Sequence, residues 1–390
     1  MQPKGAGKRD AVVRLAAELE SQIPLGGAIR DLGDARHARL PGAPDNLGSV
    51  GGESLVREMG VGIEIFHREE SRARDSRRCR CGRRRVNIRI YGTMIRVQCP
   101  AKINLFLEIT GRRKDGYHNL ASLMGKINLY DVLEFAVGED GQASLEIERK
   151  EGGVPLSAGP DNLVLRAIEA FREAFGVARG VRAKLIKRIP VGAGLGGGSS
   201  DAGGTLAGLV KLFRMKLDAA GRKTLAAVAK SLGADVPFFL HPSPWCLARG
   251  IGEKLKPVAF KDHLPYLIVV YPGFPVSTSE AYKNLALPRR ADVLTRLGQL
   301  DRLINRLKRG EPLDAWKDLL FNRLEESSLP ALDKVSWMRS LLGRLGLRGV
   351  RMSGSGSTAF GFVHSRAAGE ICLKKIKAYS WEAHVTSFCA

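Results

Sequence analysis

Pro190-Val-Gly-Ala-Gly-Leu-Gly-Gly-Gly-Ser-Ser-Asp-Ala202 is the stretch whose reading decides the fold. Glycines at 192, 194, 196, 197 and 198 let backbone N–H groups approach a ligand closely. Before them, VRAKLIKRIP at 181–190 alternates as a strand and is ended by Pro190; after them, Leu206, Leu209, Val210 and Phe213 recur at helical spacing. A strand, a glycine loop and a helix thus stand in series. Unpaired donors and a partial positive charge at the helix start suit a phosphate group, and Ser199 and Ser200 add hydroxyls for phosphate or metal.

Several phosphate loops do not fit. A P-loop needs Lys directly after its glycines, and none follows here. Gly192, Gly194 and Gly197 satisfy G-x-G-x-x-G formally, yet a dinucleotide site needs an acidic residue ending the next strand, and only Asp218 in the turn-like KLDAAGR is near. The H-R-D and D-F-G elements of protein kinases are missing from the sequence.

The loop resembles the second motif of the GHMP kinases, in which it embraces ATP phosphates. The other motifs follow in order: PAKINLFLEITGRRKDGYHNL at 100–120, LGADVPFFL at 232–240, GIGE at 250–253 and RMSGSGSTAFGF at 351–362. Together they resemble the diphosphocytidyl-methylerythritol branch of that superfamily, over essentially all of residues 94–390. The resemblance implies an α+β, two-lobed GHMP kinase fold, with an N-terminal lobe like the second domain of ribosomal protein S5 and a C-terminal α/β lobe. The expected lobes are 94–250 and 251–390. The implied activity is ATP-dependent phosphorylation of the 2-hydroxyl of a diphosphocytidyl-methylerythritol substrate in the non-mevalonate isoprenoid pathway.

Residue by residue, the resemblance makes Asp235 the base that takes the hydroxyl proton and Lys102 its cationic partner. Read alone, Asp235 between Gly-Ala and Val-Pro is a turn residue, and Lys102 a solvent-facing strand residue. Asn104, two residues from Lys102, shares its strand face and reaches the same site. Tyr117 and His118 match residues that hold a cytosine ring, and Tyr282 in VSTSEAY lies where a second aromatic is expected. Asn162 and Lys187 match adenosine contacts; Pro190, Val191, Gly192, Ala193, Gly194, Leu195, Gly196, Gly197, Gly198, Ser199 and Ser200 form the ATP loop. Asp201 is read as a helix cap rather than a metal ligand. Mg²⁺ is expected with ATP, with no protein ligand assigned. Ser353 to Gly356 reads either as the closure of the site beside the loop or as a tight turn between strands.

Two stretches depart from the pattern. Gly203 and Gly204 stand where alanines are usual, which should cost the helix about 1 kcal/mol each unless close packing compensates. ASLMGKINLYD at 121–131 is a loose version of its counterpart, and its contacts are unassigned.

Further outward, KINLFLEI at 102–109, INLYDVLEFAV at 127–137 and LPYLIVVYP at 264–272 read as strands. Helices are expected at DNLVLRAIEAFREAF, with Asp161 and Asn162 available as caps, at LTRLGQLDRLINRLKRG, and near WMRSLLGRLG. The 390 residues suffice for two domains, and 44% hydrophobic with 26% charged residues excludes disorder throughout. No apolar run reaches the ~18 residues of a membrane span, and no secretory leader pattern opens the chain; a cytoplasmic monomer or homodimer acting on a small molecule is expected. The six cysteines lack the spacing of a zinc site, and Cys79 with Cys81 would need two further ligands.

The net charge of +22 favours polyanions, so nucleic acid is a competing partner, reached through the Arg-dense run at 68–89. Residues 1–93 are rich in Gly and Arg, and only AVVRLAAELESQI resembles a helix. They read as a nucleic-acid arm, as an unstructured tail, or as upstream sequence preceding a true start at Met94. The expectation is the last, with no nucleic-acid partner, because a strand pattern begins at once at Met94. A homoserine or mevalonate-type kinase is the nearest rival activity, and neither substrate offers a cytosine for Tyr117, His118 and Tyr282 to hold.

Overall fold

The computed structural model describes residues 88–91, 94–149, 154–260 and 264–389. The helix expected at 11–23, the Arg-dense run up to residue 87, and Cys79 and Cys81 lie outside the described residues. Those that are described fall in one compact unit.

Two long strands organise the larger sheet: β2 (Met94–Arg112) and β3 (His118–Gly138), paired antiparallel. A short strand β1 (Ile88–Tyr91) pairs with the start of β2, placing Tyr91 opposite Met94. On the other side of β3 comes β5 (Gly180–Lys187), with β4 (Ala143–Arg149) parallel to it at the edge. Farther along β3, β6 (Trp245–Gly250) adds on, followed by β7 (Lys254–Pro257). The larger sheet therefore continues past Gly250.

Register shifts in β2 explain where its polar residues go. Ile95, Val97 and Cys99 face one core; after the irregularity at Pro100/Ala101, Ala101, Ile103 and Leu105 face another. The register jumps there from Pro100 opposite Tyr130 to Ala101 opposite Ile127, a bulge on the β3 side, and the two faces of β2 exchange across it. The exchange puts Lys102 and Asn104 on the face of the glycine loop without placing them in an apolar core.

On that first face pack α1 (Leu163–Phe175), α2 (Gly197–Leu212) and α3 (Ala219–Leu232), burying Val164, Ile168, Phe171, Leu206 and Leu209 against β2, β3 and β5. Asn162 caps α1 by accepting the Val164 N–H at 2.9 Å, as its sequence position predicts. The glycines of α2 have a packing reason. A Cβ on Gly203 would lie 2.8 Å from the Cβ of Phe239, and one on Gly204 would collide with the sulfur of Cys99. The propensity cost is offset by an approach that alanine could not make.

Past β7 the chain forms a second, antiparallel sheet in the order β10-β11-β8-β12: β8 (Tyr266–Tyr271), β10 (Arg348–Met352), β11 (Ala359–Val363) and β12 (Glu382–Thr386). Its Leu267, Val269, Phe360 and Phe362 meet Ala101, Ile103 and Leu105 in a common core. Leu300, Leu303 and Leu307 from the basic amphipathic helix at Arg290–Lys308 join it. The helix at Pro330–Arg344 covers the other face with Leu332, Val335 and Met338. A two-residue strand β9 (Phe321–Asn322) returns to pair parallel with β2. Cys99, Cys246 and Cys372 are buried free thiols, and no helix among the described residues is long and apolar enough to cross a membrane.

Candidate active site

Lys102 is buried, and its ammonium answers to two groups: Nζ donates to Asn104 Oδ1 at 2.7 Å and lies 3.6 Å from Asp235 Oδ2. A buried cation needs such partners to offset desolvation. Asn104 is held in turn, its Nδ2 donating to Ser122 Oγ at 2.8 Å and that hydroxyl donating to Phe106 O at 2.7 Å. This chain fixes the lysine from below. Asp235 stands at the start of a five-residue helix (Val236–Leu240) and does not cap it with its side chain. With 34% of that side chain exposed, the carboxylate faces the cavity.

The glycine loop is clamped between β2 and the last motif. Lys102 N–H donates to Leu195 O at 2.9 Å, Thr358 N–H to Ala193 O at 3.2 Å, and Ser353 Oγ to Gly194 O at 3.0 Å. Gly194 has φ +75°, and a Cβ there would strike Ser353 O and lie 2.9 Å from Gly356 O. The Ser353 to Gly356 segment is thus both a turn between β10 and β11 and the closure beside the loop. Asn322, which sequence reasoning missed, holds that closure: its Nδ2 donates to Met352 O at 2.9 Å and Gly354 O at 2.8 Å.

Behind the loop lies a buried ion triad. Lys187 Nζ donates to Asp131 Oδ2 at 2.5 Å and Asp201 Oδ2 at 2.7 Å, while Asp131 Oδ1 accepts the N–H groups of Arg188 and Ile189. Asp201 Oδ1 is buried without a hydrogen-bond partner. Burial first, and then the neighbouring Asp131, push the Asp201 carboxyl up to about 8 against the pull of Lys187. The expectation that Asp201 caps α2 is corrected: the cap falls at Gly196, so Asp201 sits on the second turn, facing Lys187. Asp131 was hidden in the strand pattern of INLYDVLEFAV.

Two cavities meet over the loop. One, of about 340 Å³, is lined by Pro190–Ala193, Leu195–Ser199, Asn162, Lys187 and Asp201. The other, of about 940 Å³, takes in Lys102, Asn104, Asp235, Gly194, Tyr117, His118 and Tyr282. Gly196 and Ser199 line both. Ser200 lines neither; its hydroxyl donates to Pro100 O at 2.7 Å. In the wall of the larger cavity the rings of His118 and Tyr282 lie against each other, tilted by 37° with centroids 5.3 Å apart, and Tyr117 is 60% exposed at the rim. Burial holds the His118 imidazole below its ordinary value, with the Arg112 cation adding to it.

No group of three His, Cys, Asp or Glu among the described residues is placed to hold a metal ion. Ser199, a hydroxyl residue, lines both cavities at their junction.

Family models for the GHMP kinases match in both halves, the N-terminal domain at residues 162–243 and the C-terminal domain at 299–380. The 4-diphosphocytidyl-2-C-methyl-D-erythritol kinase of Anaeromyxobacter sp. strain Fw109-5 is 41% identical over 284 residues, covering 71% of this chain and 85% of that protein. The chain belongs to the 4-diphosphocytidyl-2-C-methyl-D-erythritol kinase family. A crystal structure of a 4-(cytidine 5′-diphospho)-2C-methyl-D-erythritol kinase superposes with TM-score 0.61 at 34% identity, covering 76% of this chain and 99% of the other. Homoserine kinase from Cytophaga hutchinsonii superposes almost as well, TM-score 0.60 over 76% of this chain and 95% of its own, but at 19% identity. That second likeness speaks for the fold alone.

Proposed function

We propose that the protein transfers the γ-phosphoryl group of ATP to the 2-hydroxyl of 4-diphosphocytidyl-2-C-methyl-D-erythritol, as a cytoplasmic step of isoprenoid synthesis. The observation that carries the reading is the junction of two cavities at Gly196 and Ser199, with the Lys102–Asp235 pair in one and the glycine loop along the other.

ATP is assigned to the smaller cavity, its adenosine toward Asn162 and Lys187 and its phosphates along Gly194 to Ser199. Both adenosine-side residues already have protein partners, so they shape that cavity more than they supply free donors. Ser199 would hold the Mg²⁺ that accompanies ATP, which would supply charge neutralisation at the phosphates when bound. Phosphoryl transfer needs mainly positioning and electrostatic stabilisation. Asp235 accepts the proton as the substrate oxygen attacks phosphorus. Lys102, fixed by Asn104, orients that carboxylate and offsets charge on the transferring phosphoryl.

The cytidyl end is assigned to the other end of the larger cavity, where His118 and Tyr282 present ring faces and Tyr117 closes the rim. Homoserine and mevalonate have no base to stack there, which disfavours the rival activities. We take the protein to work as two lobes, the first extended beyond the expected 94–250 to include β7, in a monomer or homodimer. The test is competition: cytidine 5′-diphosphate should inhibit competitively against the cytidyl substrate and not against ATP, and the product should carry its new phosphate on the 2-oxygen by ³¹P NMR. Turnover of homoserine or mevalonate in place of the cytidyl substrate would refute the assignment.

A further inference from the structure

Lys126 is a second buried lysine on the same sheet, only 4% exposed, and it stands directly across the β2–β3 ladder from Lys102. Unlike Lys102, it faces no carboxylate among the described residues. Its Nζ donates to the backbone carbonyl of His241 at 2.6 Å and lies 5.2 Å from the centre of the Phe238 ring. The ionisable groups turned toward it are the Cys246 thiol on β6, the Cys389 thiol near the chain end and the His241 imidazole. A bare buried ammonium is costly, so its location calls for a return.

That return lies at the helix of Asp235. Val236–Leu240 is one turn and a half, too short to hold its own shape, and its N-terminal residue Asp235 makes no side-chain capping bond. The helix is gripped instead from the sheet at both ends. Lys102 meets Asp235 at its start, and Lys126 meets the His241 carbonyl at its finish, where the helix carries partial negative charge. The Lys126 backbone adds a third tie, its N–H donating to Pro244 O at 2.9 Å.

We propose that Lys126 is a positioning residue for phosphoryl transfer: by anchoring the C-terminal end of the Val236–Leu240 helix, it sets where the Asp235 carboxylate stands relative to Lys102. It touches neither substrate, for it lines neither cavity. Burial lowers its amine to about 8. Above that pH the charge that favours the helix end and the Phe238 ring is lost, while a neutral amine still donates a hydrogen bond.

The inference rests on the proposed kinase activity, and steady-state kinetics of wild type, Lys126→Met and Lys126→Arg separate the two. If wild type does not turn over the cytidyl substrate, the activity is wrong and this inference falls with it. Given wild-type turnover, the Met variant should lose kcat by on the order of 10- to 100-fold, as expected for a misplaced base, with both KM values within about twofold of wild type. Lys126→Arg should restore most of kcat. Its alkaline limb should also lie above that of wild type, which should fall near pH 8 because that is where Lys126 titrates. An unchanged kcat in the Met variant, or an Arg variant no better than Met with an unshifted limb, would overturn the proposal. Should the Met variant not fold, the wild-type and Arg pH profiles decide it alone.

Discussion

Asp235 Oδ2 lies 3.6 Å from Lys102 Nζ, and the two arrive from elements far apart in sequence, a strand that has just exchanged its faces and the first residue of a short helix. The pair is half sheltered: the lysine is buried, while the carboxylate opens to the cavity. Such an arrangement keeps an acceptor available to substrate while its cation stays fixed.

Replacing Lys102 by Met removes the cation and leaves Asn104 Oδ1 buried without its donor. The kcat should fall roughly 10²- to 10³-fold, the range seen when one preorganised electrostatic donor is lost. Substrate KM values should change little. A modest loss of stability, about 1–3 kcal/mol for the unpaired amide oxygen, should appear in denaturant unfolding.

Gly194→Ala tests the loop. Its positive φ disfavours any side chain by about 1–2 kcal/mol, and the methyl would also collide with the Ser353 carbonyl. The loop must shift, so the KM for ATP should rise about tenfold or more. The KM for the cytidyl substrate should stay within about twofold, and steady-state kinetics with each substrate varied in turn will show whether it does.

The buried triad carries a pH signature. Asp201 binds its proton more tightly in the folded state, up to about 8 against an ordinary 3.8. Its stability contribution is therefore full below pH 4 and is lost as the pH rises to about 8. Asp201→Asn should flatten that part of the stability curve, measured as Tm against pH, relative to wild type. Parallel curves would contradict the assignment.

Tyr282→Ala should raise the KM for the cytidyl substrate 5- to 150-fold, corresponding to about 1–3 kcal/mol for one base–aromatic contact. The KM for ATP should not move. His118→Ala should act in the same direction, since the two rings pack against each other in the wall of that cavity.

Much of this was legible in the sequence for a physical reason: local signals act locally. The glycine loop, the Asn162 cap and the periodic helices at Leu163–Phe175 and Gly197–Leu212 need only their own neighbourhoods to be read. Asp131, Asn322 and Ser122 escaped because each acts through a partner 16 or more residues away. The Asp201 cap failed because α2 begins at the glycines themselves, five residues earlier than a cap at Asp201 would place it. Gly203 and Gly204 looked unfavourable on propensity until Phe239 and Cys99 supplied the close contacts that exclude a side chain. At Pro100/Ala101 nothing in a period-two pattern announces the exchange of faces that delivers Lys102 to the site.

The central claim is tested most directly by ADP formation from ATP with 4-diphosphocytidyl-2-C-methyl-D-erythritol as acceptor, comparing wild type with Asp235→Asn. The account predicts turnover that depends on the cytidyl substrate and a kcat lower by roughly 10²- to 10⁴-fold in the variant, with both KM values nearly unchanged. A folded variant with wild-type kcat would contradict the role of Asp235. A folded wild type that binds both substrates without turnover would contradict the assigned reaction.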